Sequence, residues 1–319
     1  MTPVSAQRPV LFVNNYITPA HLAQIAQAIP ELELVYASPD ADREPILAAV
    51  AERVKVLLTV GVIGLSARDI DRMPQLSLVC ALGAGYEKLD IAYAKSKGIA
   101  TANGAGTNDS CVADHTMALV LSSVRNLKYY EAQLRQGVWR ENLVMPQGVT
   151  GKRLGIVGLG RIGQKIALRA QAFEMQVGYY SRSAKPDVPW SYFERLEALA
   201  HWADVLVVAV PGGADTYHLI DARILQALGS QGHLVNIGRG SVVDTAALAD
   251  ALRQGVIAGA ALDVYESEPH PPAQLVELPN VVLTQHVAGW SAQSVQATVD
   301  RFIGNVRCHL EGKPLISPI

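Results

Sequence analysis

Short apolar runs alternate with longer mixed stretches through the first part of the chain. The apolar runs have the length of buried strands, and the stretches between them repeat apolar positions at helical spacing. Strands are predicted at residues 10–13, 32–35, 54–58, 76–80 and 99–101, and helices at residues 19–28, 43–51 and 91–97. Strands that alternate with helices are typical of a parallel sheet in a doubly wound α/β domain.

A second α/β series begins near residue 108. It opens with a long apolar segment, residues 111–121, that predicts a buried helix. Strands are predicted at 153–157 and near 175–180, 204–209, 233–237, 257–261 and 281–284, with helices near 161–172, 194–201, 221–228 and 244–253. Residues 291–312 predict one long helix with Val295, Val299, Ile303 and Val306 on a shared face. We expect this helix to pack on the first domain, which makes that domain discontinuous.

A glycine-rich turn joins the predicted strand at 153–157 to the helix that follows it. Its sequence, Gly158-Leu-Gly-Arg-Ile-Gly163, has the spacing of a dinucleotide-binding fingerprint. In that motif the first glycine forms a tight turn, the second lets a pyrophosphate approach the backbone, and the third lets the helix pack closely on the strand. The N-terminus of the helix favours the negative phosphates. The position of the motif between a strand and a helix therefore predicts a dinucleotide site.

Composition and charge narrow the class of protein. A chain of 319 residues is longer than one core usually reaches, so two domains are expected. The net charge of -2 and the lack of a basic block argue against nucleic acid as a partner. The three cysteines are widely spaced, which argues against a metal site, and no apolar run reaches membrane-spanning length. Residues 1–9 have no signal-peptide core, so a cytoplasmic protein is expected.

Three later motifs add to the fingerprint, namely Asn236-Ile-Gly-Arg-Gly240, Leu262-Asp-Val-Tyr-Glu-Ser-Glu-Pro269 and Gln285-His-Val-Ala-Gly289. With two α/β units in this order, the chain resembles the D-isomer-specific 2-hydroxyacid dehydrogenases over essentially its whole length. Gln285 departs from the proline that is common before the histidine in this family. The resemblance implies a Rossmann cofactor domain, residues 103–287, inserted in a flavodoxin-like substrate domain, residues 1–102 and 288–319. It also implies a cleft in which cofactor and substrate meet.

Reduction of a 2-oxo acid needs a cation for the carboxylate and the carbonyl, a proton donor, and a hydride. Arg239 suits the first need because a guanidinium binds a carboxylate through two hydrogen bonds. His286 suits the second because imidazole titrates near neutral pH. Both residues follow predicted strands, where open α/β sheets bind ligands. The resemblance assigns the carboxylate that pairs with the histidine to Glu268, and Glu266 in the same loop is the alternative.

The resemblance also implies the remaining contacts of the site. The substrate is expected to touch Arg239, His286 and the backbone of Ala84 and Gly85, which follow a predicted strand. Asp263 is expected near the nicotinamide end of the cofactor. The full set of expected cofactor-binding residues is Gly158, Leu159, Gly160, Arg161, Ile162, Gly163, Ser181, Arg182, Ser183, Val210, Pro211, Thr216, Ile237, Asp263, Ala288 and Gly289.

The residues after the second strand of the nucleotide domain indicate which nicotinamide cofactor is used. An NAD enzyme usually has an acidic residue there, which binds the ribose hydroxyls. Here the position holds Ser181, followed by Arg182 and Ser183. A cation and two hydroxyls suit the 2′-phosphate of NADPH, whereas a carboxylate would repel it. NADPH/NADP+ is therefore expected rather than NADH, and the nearest acid, Asp187, is expected in the following loop.

The sequence leaves the identity of the 2-oxo acid open. NADP preference is typical of the glyoxylate, hydroxypyruvate and hydroxyphenylpyruvate reductases of the family, so glyoxylate, hydroxypyruvate or an aryl pyruvate is the expected small-molecule substrate. Two alternatives remain, an NAD-dependent D-2-hydroxyacid or phosphoglycerate dehydrogenase and a corepressor-like nucleotide-sensing binding protein on the same fold. A homodimer is expected, because Trp139 lies in the segment through which the family typically dimerises.

Overall fold

The computed structural model describes residues 7–40 and 42–319, and their chain divides into two units. Unit 1 contains the described residues up to Asn108 together with Trp290–Ile319, and unit 2 contains Asp109–Gly289. The segment that leads to the first junction is bonded to the C-terminal part of unit 1. The hydroxyls of Thr107 and Thr298 lie 2.8 Å apart, and Arg301 donates to the carbonyl of Ala105 at 3.0 Å. These bonds hold the segment in unit 1.

Unit 1 is a five-stranded parallel sheet in the order β2-β1-β3-β4-β5, which is the flavodoxin-like order. Its strands are β1 (Val10–Val13), β2 (Glu33–Tyr36), β3 (Val54–Thr59), β4 (Leu78–Ala81) and β5 (Ala100–Asn103). Its helices are α1 (Pro19–Ala28), α2 (Arg43–Val50), α3 (Ala67–Asp71), α4 (Ile91–Ser96) and the C-terminal α11 (Ala292–Leu310). Alternate residues of β1 enter two different cores. One core includes Leu47 of α2, and the other includes Val299 and Val306 of α11.

Unit 2 is a seven-stranded parallel sheet in the order β12-β11-β10-β9-β6-β7-β8, the Rossmann order with one further strand. Its strands are β6 (Arg153–Val157), β7 (Gln176–Tyr180), β8 (Ser191–Phe193), β9 (Val205–Val208), β10 (His233–Asn236), β11 (Gly259–Leu262) and β12 (Val281–Leu283). Its helices are α5 (Asp109–Val124), α6 (Leu127–Arg135), α7 (Arg161–Ala172), α8 (Leu196–Trp202), α9 (Ala222–Leu228) and α10 (Thr245–Arg253). Two parallel α/β sheets confirm the predicted fold class.

Three elements are absent from the sequence-based prediction, each for a local reason. Helix α3 is only five residues long, although Ser66 and Asp69 form a complete capping box at its start. Helix α6 has no buried residue, and its apolar Leu127 and Leu134 are exposed, so the segment has no run of core positions by which a helix is recognised. Strand β8 is a three-residue edge strand without a buried position. None of the helices in residues 7–40 and 42–319 combines the length and apolar character needed to cross a membrane.

Candidate active site

Unit 2 has a cavity of about 520 Å³ at the carboxyl ends of β6, β7 and β9. The strand order reverses between β6 and β9, and open α/β sheets bind ligands at such a switch point. Among the residues expected to bind the cofactor, the cavity is lined by Gly158, Leu159, Gly160, Ser181, Arg182, Ser183, Val210, Pro211 and Thr216. The other expected residues lie outside this lining, namely Arg161, Ile162, Gly163, Ile237, Asp263, Ala288 and Gly289.

The three fingerprint glycines have three different surroundings. Gly158 has φ +100°, which side chains rarely adopt, and a Cβ there would lie 2.7 Å from Cγ1 of Val210. A Cβ on Gly160 would meet nothing within 4 Å, so the backbone at this residue is open on the cavity side. A Cβ on Gly163 would lie 2.2 Å from the carbonyl oxygen of Gly158, so helix α7 can approach the turn only with glycine here. The turn therefore has the form that a bound pyrophosphate requires.

Cations and hydroxyls surround the end of the cavity that follows β7. Ser181 donates its hydroxyl to the carbonyl of Ser183 at 2.6 Å, which curls the segment around Arg182. The hydroxyl of Tyr179 accepts from the N–H of Lys185 at 2.7 Å, so a second cation joins Arg182 in the lining. The sequence did not predict Lys185 in the lining of the cavity, because its position there depends on how the loop after β7 folds back. Asp187 is exposed and lies outside the lining.

The loop after β10 is fixed by one asparagine side chain. The amide of Asn236 donates to the carbonyl of Arg239 at 3.0 Å, and its oxygen accepts from the N–H of Gly238 at 3.0 Å. A Cβ on Gly240 would lie 1.9 Å from the carbonyl carbon of Tyr265, so this loop packs backbone to backbone on the loop after β11. Asn236 and Gly240 thus place the guanidinium of Arg239 beside the loop that contains Glu268.

Glu268 and His286 form a hydrogen-bonded ion pair at the carboxyl ends of β11 and β12. Oε2 of Glu268 lies 2.9 Å from Nδ1 of His286, and Oε1 accepts from the N–H of Tyr265 at 2.9 Å. The bond to Glu268 holds the pKa of His286 above its usual range, against burial and the positive charge of Arg239. Burial would raise the pKa of Glu268, but the bonds from His286 and Tyr265 keep it below its usual range. The pair therefore favours an imidazolium beside a carboxylate.

Glu266, the alternative to Glu268, is engaged elsewhere. One of its oxygens lies 2.8 Å from Nε2 of His218, and the other accepts from the backbone N–H of Thr245 at 3.0 Å, the first residue of α10. Burial would raise the pKa of Glu266, but the bonds to Thr245 and His218 lower it on balance. The structure therefore pairs Glu268 rather than Glu266 with His286.

The turn that contains His286 has an unusual backbone. His286 has φ +55°, a left-handed conformation that costs a non-glycine residue about 1–2 kcal/mol. The N–H of His286 donates to the carbonyl of Asp263 at 2.8 Å, and those of Val287 and Ala288 donate to its carboxylate at 2.9 Å each. Asp263 is only 1% exposed. This single buried residue therefore accepts three consecutive N–H groups of the turn and offsets its strain.

The expected carboxylate-binding loop lies in unit 1, directly after β4. The side chain of Asn103 donates to the carbonyl of Ala84 at 2.7 Å, and a Cβ on Gly61 would lie 2.5 Å from the carbonyl of Gly85. Within the described part of the chain, the N–H groups of Ala84 and Gly85 have no hydrogen-bond acceptor. Two consecutive free N–H groups in a loop whose carbonyls are fixed form a site suited to an anion.

A dinucleotide-binding sheet with an acid–base pair at its carboxyl edge defines an NAD(P)-dependent oxidoreductase. Residues 117–288 match the family model described as the NAD binding domain of D-isomer specific 2-hydroxyacid dehydrogenases. The chain belongs to the D-isomer-specific 2-hydroxyacid dehydrogenase family. This confirms the resemblance seen in the motifs.

Three similar proteins illustrate the relationship. The chain is 40% identical to glyoxylate/hydroxypyruvate reductase A of Arabidopsis thaliana, over 80% of this chain and 82% of that one. It is 37% identical to hydroxyphenylpyruvate reductase of Plectranthus scutellarioides, over 86% and 88%. The crystal structure of an NADPH-dependent glyoxylate/hydroxypyruvate reductase from Sinorhizobium meliloti, in complex with NADP and malonate, superposes with a TM-score of 0.88. That protein is 34% identical, and the match covers 98% of this chain and 97% of that one.

Proposed function

We propose that this protein reduces a small 2-oxo acid to the D-2-hydroxy acid with NADPH. The observation that carries the proposal is the Glu268–His286 pair at 2.9 Å, with the charge of Arg239 acting on both residues. The similar reductases act on glyoxylate, hydroxypyruvate or hydroxyphenylpyruvate, as their names state. Glyoxylate, hydroxypyruvate or an aryl pyruvate is therefore the proposed substrate.

Each residue of the pair has a defined part in the proton transfer. Bound NADPH supplies the hydride to C2 of the 2-oxo acid. Because Nδ1 of His286 is bonded to Glu268, the proton for the carbonyl oxygen comes from Nε2. The guanidinium of Arg239 stabilises the negative charge that develops on that oxygen, and Glu268 stabilises the imidazolium before the proton leaves. In the oxidative direction the neutral imidazole accepts the proton.

In unit 2, Arg239 is the proposed partner of the substrate carboxylate. In unit 1, the free N–H groups of Ala84 and Gly85 form a proposed anion site. Ser181, Arg182 and Ser183, together with Lys185, bind the 2′-phosphate of NADPH. Two cations favour a phosphate of about two negative charges far more than a pair of ribose hydroxyls. Gly158–Gly163 at the N-terminus of α7 would hold the pyrophosphate, since the turn is open at Gly160.

We also infer a cytoplasmic homodimer. Five large apolar side chains are exposed on α6 and the segment after it, Leu127, Leu134, Trp139, Val144 and Met145. Val144 is 80% exposed and Met145 89% exposed. Several large apolar side chains exposed on one helix and the segment after it favour an interaction surface. A second copy of the chain is the proposed partner, with no nucleic acid or membrane.

The test of the proposed function is the oxidation of NADPH with a panel of 2-oxo acids. We expect kcat/KM to be highest with one of glyoxylate, hydroxypyruvate or 4-hydroxyphenylpyruvate, and higher with NADPH than with NADH. Chiral analysis of the product should show the D-isomer. No turnover of any 2-oxo acid in the presence of bound NADPH would favour the nucleotide-sensing alternative, and equal use of NADH would overturn the cofactor preference.

Arg182→Ala should weaken NADPH binding selectively. The loss of charge-assisted hydrogen bonds to a phosphate is expected to raise the KM for NADPH by roughly 10- to 100-fold. The KM for NADH should change less than about twofold, because NADH has no 2′-phosphate. Steady-state kinetics with both cofactors give the result. Arg223→Ala, which removes an exposed arginine paired with Asp221 on α9, is the matched control. An equal loss with both cofactors would place Arg182 outside the 2′-phosphate site.

Glu268→Gln should move the pH profile in a defined direction. Reduction needs protonated His286, so its kcat/KM falls as the pH rises through the raised pKa of that residue. The glutamine removes the main cause of the raised pKa, so the fall should begin at lower pH. Activity above neutral pH should drop by roughly an order of magnitude. Oxidation of the hydroxy acid needs the neutral imidazole, so it should rise over the same pH range.

Glu266→Gln is the control for this profile. It removes a neighbouring carboxylate that is bonded to His218 and Thr245 instead of His286. The midpoint of its pH profile should match that of the wild-type enzyme. A shift in the Glu266→Gln profile, with none in that of Glu268→Gln, would reverse the assignment of the two carboxylates.

A further inference from the structure

A chain of three polar side chains lies behind the catalytic turn. Thr284 donates its hydroxyl to Oδ1 of Asp263 at 2.6 Å. Nε2 of His115, on the buried helix α5, lies 3.1 Å from the same hydroxyl oxygen and 3.6 Å from Oδ1 of Asp263. Since the threonine proton points to the carboxylate, the threonine oxygen accepts from His115. The bonds therefore run in one direction, from the imidazole through the hydroxyl to the buried carboxylate.

The receiving carboxylate is the group that holds the turn of His286. Oδ1 of Asp263 accepts from Thr284 and from the N–H of Val287, while Oδ2 accepts from the N–H of Ala288. The two N–H groups restrain the plane of the carboxylate, and the bond from Thr284 adds a third restraint. The same aspartate fixes the N–H of His286 through its own carbonyl. An error in the orientation of Asp263 is thus passed directly to the catalytic imidazole.

We propose that Asp263, Thr284 and His115 are positioning residues that hold His286 in its left-handed conformation for proton transfer. The inference rests on the proposed function of His286. In this inference Asp263 acts on the backbone of the His286 turn rather than on the cofactor. Its buried carboxylate already accepts hydrogen bonds from Thr284, Val287 and Ala288. The sequence motifs included Asp263 but assigned it to the cofactor, and they contained no signal for His115.

The first test is Thr284→Val, which keeps the shape of the side chain and removes the hydroxyl. We expect kcat to fall about tenfold, because a small displacement of a catalytic group is costly. The KM for NADPH should remain unchanged, and Thr284→Ser should restore kcat to within about twofold, since serine can make both bonds. Thr150→Val, at an exposed turn of the same unit, is the matched control.

The second test is Asp263→Asn, which separates a positioning role from a cofactor contact. An asparagine has one acceptor oxygen, so one of the N–H groups of Val287 and Ala288 would face an NH₂ group. We expect kcat to fall about 100-fold at an unchanged KM for NADPH. A raised KM for NADPH at an unchanged kcat would instead favour the cofactor contact and overturn the inference.

The pH profile of Asp263→Asn gives an independent readout. His286 is faced by the charges of Glu268, Arg239 and Asp263, and the negative charge of Asp263 contributes to the raised pKa of the imidazole. Its loss should move the alkaline fall of the reductive profile to lower pH. Thr284→Val keeps the charge, so its profile should keep the wild-type midpoint while its kcat is reduced. A purely structural defect would reduce activity in both variants without this difference.

His115→Phe is the third test. It also provides a comparison that remains if Thr284→Val fails to fold. It removes only the outermost bond, so a threefold fall in kcat is expected, on the order of one neutral hydrogen bond. Thermal unfolding and NADPH binding establish that each variant is folded; if Thr284→Val is not, the comparison of Thr284→Ser with His115→Phe decides. If His286→Ala is inactive while Thr284→Val and Asp263→Asn keep wild-type activity, this inference is wrong but the proposed function stands. Active His286→Ala would overturn the proposed function itself.

Discussion

His286→Ala is expected to lower kcat/KM for 2-oxo acid reduction by about 10²- to 10⁴-fold, the range that general acid–base catalysis contributes. The imidazole is the only group in the proposed mechanism that gives a proton to the carbonyl oxygen. Glu268 lies beyond it on the Nδ1 side, 2.9 Å away, and has no proton to replace it, because its pKa lies below the usual range. Water entering the space can protonate the alkoxide only slowly. The residual rate should therefore lose its dependence on the pKa of His286.

NADPH binding separates a chemical defect from a structural one. The cavity that follows β6, β7 and β9 does not include His286 in its lining, so the Kd for NADPH should stay within about twofold of wild type. Fluorescence titration with NADPH measures it. His201→Ala, an exposed histidine at the end of α8, controls for the loss of an imidazole. Wild-type turnover by His286→Ala would remove this residue from the mechanism.

Arg239→Met should cause a loss of comparable size, at least about 10³-fold in kcat/KM. The substitution removes both a carboxylate partner and the positive charge that stabilises the developing oxyanion. It has a second effect with the opposite direction to that of Glu268→Gln. The charge of Arg239 opposes the raised pKa of His286, so its removal should move the alkaline fall of the residual reductive activity to higher pH.

Arg239→Lys distinguishes the charge of the side chain from its shape. Lysine keeps one positive charge but cannot make two parallel bonds to a carboxylate, so we expect an activity between those of wild type and Arg239→Met. Arg195→Met, which removes an exposed arginine paired with Glu197, is the matched control. If Arg239→Met kept the wild-type kcat/KM, or if its pH profile moved to lower pH, the proposed role of this residue would be wrong.

Most of the fold could be predicted because its strands are short, buried and bounded by polar residues. The strands β1 and β6 and the helices α1 and α7 have the predicted bounds. Strand β4 begins at Leu78, two residues after the predicted start at Leu76, which is buried ahead of the sheet. Helix α6 escaped prediction because no side chain in it is buried. This helix contacts α5, but its Leu127 and Leu134 are exposed, so its apolar pattern does not mark a buried face.

The sequence names the residues proposed for the site, but it does not give their geometry. Arg239, Glu268 and His286 follow from motifs and chemistry, and the structure places Glu268 against the imidazole. The left-handed backbone of His286 could not be predicted, because glycine and asparagine usually signal that conformation and this position holds a histidine. The bond from His115 joins residues 169 positions apart in the chain. Only the packing of α5 beside β11 and β12 brings them together.

The proposed catalytic residues of unit 2 follow three neighbouring strands, Arg239 after β10, Glu268 after β11 and His286 after β12, and the proposed positioning residue Asp263 also follows β11. Their distances in space are set by the spacing and register of parallel strands, whereas their distances along the chain are set by α10 and the loop before β12. Insertions in those connections can lengthen the sequence without moving the site. A distant relative could therefore keep the same chemistry with quite different intervals between its motifs. The order of the strand ends in the sheet, rather than the number of residues between the motifs, is the feature that relatives must retain to keep this site.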